Sequence, residues 1–247
     1  SRQSALKYMP SLTPEVSPDP AFSMVPMERD QVILALEKYG LSSAFDKGAI
    51  CVSTCETGPI ARYCFTEFTN PSARLEAHRQ FLADVLSYAA EEFDKEIVFL
   101  PHALGPGNAL NDIMVASAVK NKMSCNAKSK THILDQDLSA KLLKGIIREA
   151  DFMISERIHA MIGAVGVATP FLCLGSETDR RIKGILVEFA GCGDQVVYMN
   201  DPNLEATLQV LNRSYLNRDK ISDSLAQVGE RFRGMHKKVG DAIRSDL

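Results

Sequence analysis

The stretch "DFMISERIHAMIGAVGVATPFLCLGSETDRRIKGILVEFAG", residues 151–191, alternates short apolar runs with helical patterns. The runs at 151–155 and 169–175 predict buried strands, because they are apolar without alternation. The segments at 157–165 and 179–190 repeat apolar residues at the three-and-four spacing of a helix. A strand–helix–strand–helix order of this kind is typical of a parallel sheet that is covered on both faces. The stretch therefore decides the fold class.

The rest of the chain repeats the same unit. Further strands are predicted at 49–54, 96–101, 131–135 and 195–199, and further helices at 71–93, 108–120 and 138–150. The sequence thus predicts a doubly wound, mainly parallel, Rossmann-like α/β domain with helices on both faces of the sheet. We place this domain at residues 29–202. Residues 1–28 hold five prolines and predict an irregular connector.

The C-terminal segment, residues 203–247, differs from the repeating units. Apolar residues from Ile221 to Ile243 recur at spacings of 4, 3, 4, 3, 4 and 4, which predicts one long amphipathic helix. Such a helix needs a surface to cover. The candidates are this domain, a partner domain that precedes Ser1, or a second copy of the chain in a homo-oligomer.

Composition excludes several classes of protein. The chain has 247 residues, a net charge of −3 and 45% hydrophobic residues, so nothing favours binding to nucleic acid or to an anionic membrane surface. Its six cysteines have neither the density nor the spacing of a disulfide scaffold. The most apolar stretch, residues 160–175, is too short for a transmembrane segment, and the N-terminal residues do not read as a signal peptide. We expect a cytoplasmic protein.

Polar residues follow three of the predicted strands. Because ligands of open α/β sheets bind beyond the carboxyl ends of the strands, we expect these residues to converge on one site. After the strand at 96–101 the candidates are His102, Gly105 and Asn108, the last also as a helix N-cap. After the strand at 151–155 they are Glu156, Arg157 and His159. After the strand at 169–175 they are Ser176, Glu177, Asp179 and Arg181.

Arg157 and His159 predict an anion site. A helix that begins near Arg157 presents free N–H groups and the positive end of its dipole, and the guanidinium matches a carboxylate or a phosphate. His159 can donate a hydrogen bond or a proton near neutral pH. The alternatives are a structural ion pair of Arg157 with Glu156 or Asp151, and a structural role for His159.

Two other motifs give only weak evidence for a nucleotide-binding site or a metal site. The segment "GPGN" lacks both the dinucleotide fingerprint and the Walker lysine. Cys51, Cys55 and Cys64 lack a second pair of ligands, so we expect neither a metal ion nor a cofactor.

With these motifs in place, the chain resembles the polysaccharide pyruvyl transferase family. The resemblance rests on "DFMISERIHAMIGAVGVATPFLCLGSETDRRIKGIL", on "SPDPAF" (17–22) and on "VFLPHALGPGNALND" (98–112), and it extends over roughly residues 16–192. It implies one half of a glycosyltransferase-B-like architecture, with a facing domain before Ser1. The loop "SETDRR" departs from the tyrosine-and-lysine form common in the family, and Arg181 stands where a lysine is usual.

The resemblance implies transfer of a pyruvyl ketal group from phosphoenolpyruvate to a sugar or lipid-linked glycan, as in exopolysaccharide biosynthesis. Arg157 and His159 would then hold the donor, with His159 as a proton donor and Arg181 as a second cation. Two other functions stay open. One is a glycosyltransferase that uses a nucleotide sugar, with Glu177 or Asp179 on the ribose, and the other is a sugar- or anion-binding module without turnover.

Overall fold

A computed structural model describes residues 7–8, 16–107 and 110–245 of the chain. In these residues six strands form one parallel sheet in the order β3-β2-β1-β4-β5-β6. The predicted doubly wound α/β fold is therefore confirmed. The strands are β1 Ala49–Ser53, β2 Glu96–Phe99, β3 Thr131–Ile133, β4 Phe152–Ser155, β5 Phe171–Gly175 and β6 Val196–Tyr198.

Helices connect the strands and cover both faces of the sheet. In the described residues the helices are α1 Arg29–Lys38, α2 Ser42–Asp46, α3 Pro59–Tyr63, α4 Pro71–Glu92, α5 Asp112–Lys122, α6 Cys125–Ser129, α7 Ala140–Glu149, α8 Ile158–Gly166, α9 Leu204–Leu216 and α10 Arg218–Ser245. The described residues also include the 3₁₀ turns Pro20–Ser23 and Gly193–Gln195 and a π-helical segment, Ile182–Phe189. Among the described helices, none is both long enough and apolar enough to cross a bilayer.

The strands are apolar without alternation because successive side chains enter two different cores. In β4, Met153 packs with α7, α8 and α10, whereas Phe152 and Ile154 pack with α4 and α9 on the other face. All three are at most 1% exposed. Complete burial of such a side chain stabilises the fold by roughly 1.5–3 kcal/mol. The sheet is thus the rigid base that positions the loops at its edge.

The helix predicted from Asn108 begins later. Asn111 caps α5, since its side-chain oxygen accepts a hydrogen bond from Ile113 N at 3.0 Å. The prediction that Asn108 caps this helix is therefore wrong, and Asn108 itself lies outside the described residues. The local reason is that Asn111 and Asp112 form a stronger helix start, with a cap followed by an acidic residue in the first turn.

The C-terminal segment forms two helices that pack on opposite faces of the sheet. On α9, Leu211 and Tyr215 join the core beside α4. On α10, which carries the predicted apolar stripe, Leu225 and Phe232 join the core beside α8. The ring of Phe232 lies 4.7 Å from that of Phe22, centroid to centroid. The first part of the stripe therefore covers this domain, while Ile243 near its end is 58% exposed.

The helix predicted at 179–190 is π-helical over Ile182–Phe189. Its first turn sits against the end of β5. A Cβ atom on Gly175 would lie 2.2 Å from Ile182 Cδ1, so a larger residue there would require the Ile182 side chain to move. This contact brings Arg181 to the carboxyl edge of the sheet.

Candidate functional site

The polar loops meet where the strand order reverses. The strands β1 and β4 are neighbours, with Ser53 paired to Ser155 in register, and the chain leaves them in opposite directions along the sheet. The loops after β1, β2, β4 and β5 therefore open a crevice at one edge, which is where doubly wound sheets bind their ligands.

Arg157 and Asp112 form an ion pair across this crevice. Arg157 Nε donates to Asp112 Oδ2 at 2.8 Å, and Arg157 Nη2 donates to Asp112 Oδ1. Arg157 Nε also contacts the carbonyl oxygen of Thr54 at 3.0 Å. Burial opposes the guanidinium charge, but the hydrogen bond and the charge of Asp112 overcome it and raise the pKa of Arg157. The partner is thus neither Glu156 nor Asp151, the two partners considered from sequence.

The same carboxylate orders the loop after β2. Asp112 is 2% exposed, and its Oδ2 accepts hydrogen bonds from the backbone N–H groups of His102 and Ala103 at 2.8 and 3.0 Å. One buried side chain on α5 therefore fixes both His102 and Arg157. Asp112 was not among the site residues expected from sequence, although its place after the polar loop of β2 could have indicated it.

His102 is held as a neutral imidazole. Its Nδ1 contacts the carbonyl oxygen of Leu100 at 3.0 Å and Ser53 Oγ at 2.9 Å. Since a carbonyl can only accept, the hydrogen lies on Nδ1 and the lone pair on Nε2. Burial lowers the pKa of His102, although the bond to Leu100 acts against that shift. His102 is suited to accept a hydrogen bond or a proton through Nε2.

A cavity of about 440 Å³ opens beside these residues. His102, Arg157 and His159 line it together with Arg181 and Cys55. His159 lies in the first turn of α8 and is exposed. No side chain among the described residues caps this helix, so its first N–H groups remain available for an anion.

A smaller cavity of about 270 Å³ adjoins the first and extends toward β5. Ser176, Asp179, Arg157 and Arg181 are among its lining residues. Arg181 pairs with Asp179, with Nε–Oδ1 and Nη2–Oδ2 distances of 3.0 and 2.7 Å. Burial acts to raise the pKa of Asp179, but the hydrogen bonds and the charge of Arg181 together lower it overall. The guanidinium side chain of Arg181 is still 55% exposed, so it can reach a ligand in either cavity.

A buried charged cluster supports the floor of both cavities. Glu156 Oε1 bonds His78 Nε2 at 2.6 Å, and its Oε2 accepts from Cys55 N at 2.8 Å. Behind His78 lies Glu56, 3.9 Å from Nδ1, which Arg79 binds through two nitrogens at 2.5 and 2.7 Å. Burial opposes the charge of His78, but Glu156 and then Glu56 raise its pKa overall. The sequence patterns had assigned no partner to His78.

The structure thus brings five predicted site residues to the larger cavity, namely His102, Glu156, Arg157, His159 and Arg181. Ser176 lines only the smaller cavity. Within the described ranges, Gly105 and Glu177 line neither cavity. Gly105 turns the loop after β2, and a Cβ there would lie 2.8 Å from Leu110 Cβ. In the same described part of the chain, no group of three His, Cys, Asp or Glu side chains is placed to hold a metal ion.

Comparisons with known proteins indicate the family and the fold of the chain. A family model described as polysaccharide pyruvyl transferase matches residues 1–178. The structure resembles the Escherichia coli ADP-heptose lipopolysaccharide heptosyltransferase II, with a TM-score of 0.53 and 10% identity over 78% of this chain and 53% of that one. It also resembles a Listeria monocytogenes protein described as a UDP-N-acetylglucosamine 2-epimerase, with a TM-score of 0.53 and 17% identity over 90% of this chain and 49% of that one. No curated protein matched.

At these identities the likeness to solved structures concerns the fold alone. It shows one half of a glycosyltransferase-B-like architecture, and the chain spans about half the length of the structures it matches.

Proposed function

The chain belongs to the polysaccharide pyruvyl transferase family, and we propose that it is the donor-binding half of an enzyme that transfers a pyruvyl ketal group from phosphoenolpyruvate to a sugar of a glycan. The observation that carries the proposal is the Arg157–Asp112 pair. Asp112 fixes one edge of the guanidinium, and in the described part of the chain Arg157 Nη1 has no hydrogen-bond partner. A fixed arginine with a free edge, at the start of α8 and in a cavity, is preorganised for a carboxylate or a phosphate.

The residues present suit the chemistry of this transfer. Arg157 and Arg181 bind the phosphate and carboxylate of the donor and stabilise the phosphate as it leaves. His159, which is exposed at the cavity, donates a proton to the methylene carbon, and the neighbouring carbon becomes an oxocarbenium-like centre.

Two acceptor hydroxyl groups then form bonds to that carbon in turn, and its bond to the phosphate oxygen breaks. One of the two hydroxyl protons returns His159 to its protonated form, and the other leaves with inorganic phosphate. The reaction is thus balanced without a cofactor.

A nucleotide-sugar glycosyltransferase is less well supported. It requires a carboxylate for the ribose, and the two candidates from sequence are poorly placed. Both oxygens of Asp179 bind Arg181, and Glu177 is exposed outside both cavities in the described residues. A nucleotide sugar therefore serves as the competing ligand in the test.

Titration calorimetry of the chain with phosphoenolpyruvate, inorganic phosphate and UDP-N-acetylglucosamine tests the donor site. We expect saturable binding of phosphoenolpyruvate that Arg157→Ala abolishes. Arg180→Ala is the matched control, because Arg180 is an exposed neighbour of Arg181 that lines neither of the two cavities in the described residues. Preferential binding of the nucleotide sugar would overturn the donor assignment.

Turnover is tested with sugar acceptors and phosphoenolpyruvate. The expected products are inorganic phosphate and a ketal whose new methyl group is seen by proton NMR. Donor binding without either product, across acceptors and with the complete protein, would favour a binding module instead.

A further inference from the structure

The larger cavity has two chemically different ends. The anion-binding end holds His102, Arg157, His159 and Arg181, with the carboxylate of Glu156 already bonded to His78 and to Cys55 N. The other end runs between α7 and α8, and its lining is mainly apolar. It is formed by Ala21, Met24, Leu138, Ala140, Leu143, Ile147, Ile158 and Gly163, with Lys144 as a charged residue among them.

Gly163 keeps the apolar end open. It lies within α8, and a Cβ atom added there would meet only Ile147 Cδ1, at 3.5 Å, which is ordinary van der Waals contact. A glycine in a helix interior costs roughly 0.5–1 kcal/mol relative to alanine. Gly163 has neither a close contact nor a positive φ that would require glycine. The structural effect of this glycine is therefore the space that it leaves in the cavity.

The part of the cavity wall that Ala21 and Met24 form is held in place. Lys144 is 2% exposed, and its Nζ donates to the carbonyl oxygens of Ala21 and Phe22 at 2.8 and 2.9 Å. His236 binds the same segment through Ser23 Oγ at 2.5 Å and the carbonyl oxygen of Pro18 at 3.0 Å. The turn at 20–23 is therefore held in a fixed position, and two of the three N–H groups of the Lys144 ammonium bind its backbone oxygens.

The donor does not fill such a cavity. Phosphoenolpyruvate has only a methylene group to place against apolar walls, and binding sites of this volume hold larger ligands that bury apolar groups while a few polar groups orient them. We propose that the apolar end between α7 and α8 binds an apolar ring or aliphatic group that is carried by the acceptor and lies next to the anion. This inference rests on the proposed function in placing the donor's anion at Arg157.

The test compares two anions that differ only in their apolar part. Calorimetry measures the affinity of the chain for methyl phosphate and phenyl phosphate, with phosphoenolpyruvate and inorganic phosphate alongside. We expect phenyl phosphate to bind at least about tenfold more tightly than methyl phosphate, because its ring leaves water for the apolar end.

Gly163→Val narrows the apolar end and should remove this gain while methyl phosphate still binds. Gly163→Ala, which meets only one carbon atom at ordinary distance, should reduce the gain and serves if the valine variant does not fold. Gly234→Val is the control, since Gly234 is exposed on α10 and a Cβ there meets nothing within 4 Å.

Each outcome is decisive. Equal binding of the two phosphates, or a gain that survives Gly163→Val in a folded protein, overturns the inference and leaves the donor assignment standing if phosphoenolpyruvate binds. A gain for phenyl phosphate without binding of phosphoenolpyruvate supports the apolar end and overturns the donor assignment. Binding of no anion overturns both.

Discussion

Arg157 and Asp112 lie 45 residues apart in the sequence, yet they share two hydrogen bonds across the crevice between β1 and β4. The carboxylate is almost completely buried, whereas the side chain of the arginine is 19% exposed. The arginine therefore has one edge fixed by the protein and another that can face a ligand. A flexible surface arginine would have to lose side-chain entropy on binding, and this one has already lost it on folding.

Asp112→Asn should weaken phosphoenolpyruvate binding by about tenfold or more, because Arg157 loses its charged partner and its orientation. It should also lower the free energy of unfolding by about 2 kcal/mol, since hydrogen bonds to a charged group are lost. Calorimetry and urea unfolding measure the two effects. Asp94→Asn, which removes an exposed partner of Lys130, should change neither quantity. Unchanged donor binding in Asp112→Asn would contradict the positioning role.

Arg181→Ala should weaken donor binding less than Arg157→Ala does, by about threefold to tenfold. The reason is that its side chain is 55% exposed and its charge is screened by water and by Asp179. Raising the salt concentration should reduce the difference between wild type and Arg181→Ala. If Arg181→Ala abolishes binding while Arg157→Ala does not, the roles of the two arginines are reversed.

His102 should remain neutral with its hydrogen on Nδ1. Burial lowers the pKa of His102. The ring should therefore take up a proton only at a pH below that of an ordinary histidine, whose pKa is about 6.5. Nitrogen-15 NMR of the imidazole ring reports both the tautomer and the titration. A ring protonated on Nε2 at neutral pH would refute the hydrogen bond to the carbonyl oxygen of Leu100.

His78 should make stability depend on pH. Its folded-state pKa is raised by Glu156 and Glu56 despite burial, so the native state binds more protons than the unfolded state above about pH 6.5. The resulting stabilisation is complete below that pH and is lost as the pH rises through the folded-state pKa. Urea unfolding should therefore show that the free energy of unfolding of the wild type, relative to His78→Gln, falls between about pH 6 and pH 9, since the difference cancels the other titrating groups.

The control for His78 is Gln80→Ala on the same helix, α4. Gln80 is exposed and carries no titrating group, so this variant should keep the dependence of stability on pH of the wild type. A wild type and a His78→Gln variant with the same slope would show that His78 does not change its charge in this range.

Lys144 should make the free energy of unfolding depend on pH in the opposite direction. Burial lowers its pKa to about 8, so the unfolded state binds more protons between pH 8 and the ordinary value of 10.5. The free energy of unfolding of the wild type, relative to Lys144→Met, should therefore rise by about 2 kcal/mol between about pH 7 and pH 9.5. The variant corrects for the other titrating groups. A constant difference would place the lysine pKa at its ordinary value.

Local sequence patterns were sufficient to predict the sheet. Apolar runs without alternation, separated by segments with helical spacing, located the six strands of the described residues. They could do so because a strand that is buried on both faces consists mainly of apolar residues. The helices α1, α2, α3 and α6 were not predicted, and neither was α9. Their burial is shared with distant segments, so their apolar residues do not form a clear stripe. The helix at 182–189 was predicted, but its π-helical form was not, because no spacing of apolar residues distinguishes it from an α-helix.

The candidate site was predicted only in part, for a related physical reason. His102, Arg157, His159 and Arg181 were found because each follows a strand or begins a helix at the same sheet edge. Their partners were missed, since the pairs Arg157–Asp112 and His78–Glu156 join residues 45 and 78 positions apart. Ion pairs over such separations are set by strand order, which the local pattern does not encode.

The buried cluster of Glu56, His78 and Glu156 also constrains how the chain can fold. Its carboxylates follow β1 and β4, and its histidine lies on α4, so three distant segments must meet before the charges can leave water. A helix α4 that docked one turn out of place would bury two carboxylates without their partners, at a cost of several kcal/mol. Misdocked states are therefore short-lived, and we expect the site to assemble late and in a single step with the closing of the sheet.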